Sequence, residues 1–187
     1  MSELVYLLSD VHLTIDGKKV YIPDSVLIRN SNMVDTLVPE NFTRVTRSNA
    51  SYEIGEMREI GPVESINFKC GLPKYMEGSM FVSEVTNDLT VDPDTLLSDD
   101  LRYTVQRIKI FKGEDFLDSM TYEVPGSLGP VNVSIELDTT YDAGRTKLVN
   151  LTVDYERWFQ DINFDPDSDT KIDSLLRLNL AESFKAN

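Results

Sequence analysis

Asp16-Gly17, set between two apolar, β-branched runs, constrains this chain more than any other pair of its residues. Both central positions of a two-residue hairpin loop need positive φ, which Asp tolerates and Gly takes freely, so the pair predicts a β-hairpin. Residues 4–15 form the outgoing strand. Residues 19–28 form the return, with Val20, Ile22, Val26 and Leu27 apolar. Pro23 inside the return marks an edge strand or a bulge, because proline has no N–H for the ladder.

The same pattern continues downstream. Residues 42–54 are rich in Thr, Val and Tyr and read as a third strand region. Val63, Ile66, Phe68 and Cys70 mark a fourth, ended by Gly71-Leu72-Pro73. Residues 75–100 are irregular and acidic, with a turn at Asp92-Pro93-Asp94, and read as a long loop. Residues 103–111 alternate, Lys112-Gly113-Glu114-Asp115 turns the chain, and residues 116–124 pair back. Two more alternating runs, 131–137 and 147–155, flank a turn at Asp142-Ala143-Gly144.

The period then changes. Ile172, Leu175, Leu176, Asn179 and Leu180 recur at helical spacing, which predicts an amphipathic helix capped by Asp169 or Thr170. Roughly eight strands, hairpin signals and one late helix predict an all-β fold. The expected form is a mainly antiparallel β-sandwich with one C-terminal amphipathic helix, as a single domain over residues 1–187.

Composition bears mainly on partners. Eighteen Lys and Arg against 32 Asp and Glu give a net charge of -14, which argues against a nucleic-acid partner. The chain has one Cys and one His, so neither an internal disulfide nor a Cys-based zinc site is available. No apolar run approaches the roughly 18–20 residues of a membrane helix. The opening residues Met1-Ser2-Glu3-Leu4-Val5 do not read as a signal peptide.

Leu8-Ser9-Asp10-Val11-His12-Leu13 resembles the opening motif of calcineurin-like metallophosphoesterases, but that chemistry needs several further histidines. Nucleophilic catalysis would have to use His12 as its base, and Cys70 lies in an apolar strand that suits an inert thiol. No phosphate-binding glycine loop is present, and no local spacing marks a glycosidase carboxylate pair. The sequence therefore predicts a protein that is not an enzyme.

For hard cations the best candidate is Asp165, Asp167, Asp169 and Asp173, at positions 1, 3, 5 and 9 of a calcium-loop register. Thr170 replaces the expected Gly and Leu176 the expected Glu, so the competing reading is an acidic approach to a helix N-terminus. Asp88, Asp92, Asp94, Asp99 and Asp100 read as a solvated loop. Met33, Met57, Met76, Met80 and Met120 are soft-metal ligands in principle and core filler in most proteins. Asn-x-Ser/Thr sequons begin at Asn41, Asn49, Asn132 and Asn150.

Four segments, in order, resemble the MbnP-type proteins, the methanobactin-associated copper-binding family. Residues 6–13 resemble its early "YYLSNVRL"-like strand, and residues 63–73 its "I-x-F-x-x-G-x-P" strand end. Residues 153–164, with the Trp158-Phe159 pair, and Asn179-Leu180-Ala181-Glu182-Ser183-Phe184 complete the resemblance. It implies an exported, periplasmic or cell-surface binding or accessory protein of the bacterial envelope, associated with copper. It also implies that a first strand and a signal sequence precede this chain. The family's Met-x-Trp-x-Trp segment has no counterpart here, which leaves His12 as the nitrogen ligand and Trp158 as a structural anchor. The alternative expectation is an extracellular carbohydrate-binding or adhesive module, calcium-stabilised through the four aspartates, with an envelope protein or glycan as partner.

Overall fold

The structure is a computed structural model that describes residues 3–22, 25–30, 32–39, 41–49, 51–82, 103–112, 118–142, 144–164 and 169–186. Its strands are β1 (Glu3–Ile15), β2 (Lys18–Tyr21), β3 (Val26–Arg29), β4 (Asp35–Val38), β5 (Phe42–Thr46), β6 (Gly61–Cys70) and β7 (Met80–Phe81). They continue with β8 (Thr104–Lys112), β9 (Asp118–Pro125), β10 (Val131–Tyr141), β11 (Leu151–Val153) and β12 (Phe184–Ala186). The helix α1 spans Asp169–Glu182. All pairings among the described residues are antiparallel, so the all-β expectation with a single C-terminal helix is met.

The predicted hairpin is present. Ile15 lies opposite Lys18, and Asp16 and Gly17 both take positive φ, 49° and 70°. The return is two strands rather than one. β2 pairs with β1, whereas β3 joins a three-stranded sheet with β4 and β7. The third predicted strand region forms hydrogen-bonded strand only at β5, and the 147–155 run only at β11. Strands β4, β7 and β12 are too short to leave a periodic signal.

β1 organises the large sheet. Val5 and Tyr6 pair with both β5 and β8, while Leu8 and Ser9 pair with both β5 and β6. A strand has only two edges, so β8 and β6 lie end to end along one edge of β1. His12 to Ile15 pair with both β2 and β6, which puts β2 after β5 along the other edge. One column further out, β9 pairs with β8 and β10 with β6, separated by the short 3-10 turn Gly126–Leu128. The sheet is thus four columns, each interrupted near its middle, and the interruptions align into a transverse seam.

Each column crosses the seam differently. β1 crosses on Asp10, whose φ of 52° coincides with the register shift between Ser9 and His12. The extra residue switches the core-facing positions from the even-numbered Leu4 and Tyr6 to the odd-numbered Val11, Leu13 and Ile15. On the outer edge the Asn41 side chain fills the gap between β5 and β2. It accepts from the Val11 N–H at 2.7 Å and donates to the Val11 carbonyl at 2.9 Å. On the inner edge Gly71 donates its N–H to the Leu7 carbonyl at 2.8 Å and accepts from the Ser9 hydroxyl at 2.7 Å. Its φ of 109° and the 3.2 Å that would separate a Cβ from the Pro130 backbone explain the glycine.

One face of the sheet carries the core. Opposed residues share a face, so Leu4 and Ile108, Phe68 and Val133, and Ile66 and Ile135 point the same way. α1 lays Ile172, Leu176 and Leu180 into that core, the face its spacing predicts. Trp158 is fully buried, donates to the Ser183 hydroxyl at 2.9 Å and meets the Tyr6 ring edge-on at 5.6 Å. Arg177 of α1 donates to the Leu128 carbonyl and, at 2.8 Å, to that of Gly129, which ties the helix to the seam between β9 and β10.

Candidate functional site

Beyond the seam, β1 reads Val11-His12-Leu13-Thr14-Ile15 with strict alternation. The odd positions go to the core, so His12 and Thr14 face the other way. Register then places their neighbours. His12 lies opposite Tyr21 and Asn67, and Asn67 opposite Ser134. Thr14 lies opposite Lys19 and Ser65, and Ser65 opposite Glu136. Lys69 and Asn132 form a further row. The result is a polar sheet face, half-buried along β1 and β6 and exposed along β10.

Hydrogen bonds between side chains order this face. Ser65 donates to the Thr14 hydroxyl at 2.9 Å, and the Asn67 amide donates to Ser65 at 2.9 Å and to Thr14 at 3.2 Å. At the seam end, the Asp10 carboxylate gathers the cations. Lys69 lies 2.9 Å from it, and Lys19 and the His12 Nδ1 each lie 3.6 Å away. Burial pushes the Asp10 carboxyl upward, but the Lys69 hydrogen bond and the charges of Lys69, Lys19 and His12 outweigh it and hold the group below its usual range. Lys19 also sits 4.3 Å over the Tyr21 ring. Burial lowers its pKa and Tyr21 and Asp10 raise it, with a net upward shift. The Tyr21 ring stays 57% exposed, tilted 40° against His12 at 5.5 Å.

The His12 Nδ1 is 2.7 Å from the Asp10 carbonyl. A carbonyl only accepts, so Nδ1 carries the proton and Nε2 is the nitrogen that a ligand would meet. Two ammonium groups flank the carboxylate beside the ring, and among the described residues no three His, Cys, Asp or Glu converge on one point.

The acidic candidates divide. Asp165 and Asp167 lie outside the described residues, as do Asp88, Asp92, Asp94, Asp99 and Asp100. Asp169 opens α1, where a carboxylate suits the helix dipole. Asp173 lies one turn on, and burial, then the charge of Asp169, raises its carboxyl above the ordinary value. Cys70 is buried under the sheet, and burial pushes its thiol far above the ordinary value, which leaves it inert as a nucleophile. Met76 is fully buried and Met33 is exposed. Of the sequons, Asn41 is buried in the seam, and Asn49, Asn132 and Asn150 are exposed.

Sequence reasoning singled out His12 but not Lys19, Tyr21, Asn67 or Lys69. The signal for two of them was available. Counting back from the two-residue turn at Asp16-Gly17 sets Lys19 against Thr14 and Tyr21 against His12. No family model matches the sequence, and no curated protein and no solved structure matches it.

Proposed function

We propose that this chain is a non-catalytic binding module exported to the bacterial envelope, periplasmic or at the cell surface, with the polar face around His12 and Tyr21 as its ligand seat. The observation that carries the reading is the order of that face. Its hydroxyl and amide groups are fixed by bonds to one another, so little side-chain freedom remains to be lost when a ligand lies on it. The envelope location rests on the sequence resemblance to the MbnP-type proteins.

Purified protein mixed with washed envelope fragments should co-sediment with them, and Tyr21→Ala should leave most of it in the supernatant. Wild-type protein that stays in the supernatant overturns the reading. Titration of EDTA-stripped protein with Cu(I), Cu(II) and Ca²⁺ weighs the metal roles beside it. Stoichiometric copper binding lost in His12→Ala would restore the copper role that the resemblance implies. Calcium binding lost in Asp169→Ala with Asp173→Ala would assign a structural ion to the start of α1.

A further inference from the structure

We infer that the ligand seat takes a saccharide bearing a carboxylate, an inference that rests on the binding-module reading and names its ligand class. The first observation is charge. The chain carries a net -14, yet among the described residues two ammonium groups and an imidazole share the carboxylate of Asp10 at the seam end of the polar face. An ammonium has three donors. Lys69 directs one at Asp10 at 2.9 Å, and Lys19, at 3.6 Å, is ion-paired beyond hydrogen-bond distance. Both therefore retain donors for a second carboxylate.

Among the described residues, the nearest further acidic residue in the rows of this face is Glu136, which lies opposite Ser65, four residues along β6 from Lys69. At strand rise that is about 13 Å. This exceeds the screening length of about 8 Å at physiological salt, so Glu136 does not cancel the cationic spot.

The second observation is the ring. Tyr21 is 57% exposed on the same face, with the Lys19 ammonium 4.3 Å over one side of its ring. The part of the ring that Lys19 leaves open offers the apolar C–H face of a pyranose a surface to lie on. The adjoining row of Asn67 and Ser134 and the hydroxyls of Thr14 and Ser65 match sugar hydroxyls. A uronate-type residue stacked on Tyr21 would set its carboxylate toward Lys19 and Lys69.

The test compares oligogalacturonate with neutral galactan oligomers of equal length by calorimetry on the full chain. The acidic oligomer should bind and the neutral one bind at least tenfold more weakly. Lys19→Met with Lys69→Met should weaken acidic binding roughly tenfold or more, because each loses a charge-assisted bond. Asp10→Asn keeps a residue type that tolerates positive φ and removes the competing carboxylate, so it should tighten acidic binding severalfold. A purely structural Asp10 would not produce that gain.

Equal binding of both oligomers, with no gain in Asp10→Asn, overturns the carboxylate assignment and leaves the binding module standing. Binding of neither oligomer by protein that still co-sediments with envelope fragments overturns the saccharide assignment alone. Failure of both experiments removes the module reading with it.

Discussion

The two halves of β1 solve different problems. Before the seam, Leu4, Val5, Tyr6 and Leu7 are all buried, so the strand is covered on both faces. After it, only Val11, Leu13 and Ile15 are buried, and His12 and Thr14 join the polar face. The first half reads as a continuous apolar run and the second as an alternation, the marks of two-sided and one-sided burial. The first half anchors the fold, and the second leaves one face polar.

The largest effect that would test this contrast is a pair of truncations. Leu7→Ala should cost about 2–5 kcal/mol in urea unfolding, as large-to-small changes in packed cores do. Ser134→Ala on the polar face should stay within about 0.5 kcal/mol. Similar costs at the two sites would erase the distinction between the covered stretch of β1 and the polar face.

Next comes the seam itself. Asn41→Ala strips the partners from both the N–H and the carbonyl of Val11 in a buried setting. It should cost about 2–3 kcal/mol, and amide exchange at Val11 should accelerate more than at Leu13. Uniform acceleration along β1 would mean that Asn41 merely packs.

The smallest expected effect sharpens the chemistry of the second half. Asp10's carboxyl is depressed in the folded state, so its ionised form adds stability above about pH 4 and loses it as pH falls through the depressed value. Solvent screening limits the contribution to about 1 kcal/mol. Wild type and Asp10→Asn should therefore differ in melting temperature at pH 7 and converge near pH 2. A pH-independent difference would assign the effect to backbone geometry at the positive φ.

Much of this was legible in the residues. Asp16-Gly17 fixes a hairpin and its register, and the spacing of Ile172, Leu176 and Leu180 fixes the buried stripe of α1. The seam was not. Asp10 tolerates positive φ without requiring it, and nothing local tells a reader that residues 4–15 break in mid-strand. Nor does composition show that β6 and β8, far apart in sequence, share one edge of β1. The proposed ligand seat was half legible: alternation puts His12 on the polar face, but the approach of Lys69 to Asp10 depends on a long-range pairing.

The shared edge of β1 also has a consequence in time. Beyond the local β2, the partners of β1 lie at residues 42–46, 61–70 and 104–112, and the arginine that ties α1 to the seam is residue 177. Few of these contacts are local, so loop closure must be met before most of them form, and a chain of this topology folds slowly. The apolar opening residues 4–8 therefore remain unsheltered until nearly the whole sequence has been made. A holdase, or passage across a membrane before folding, would have a long interval in which to act on them.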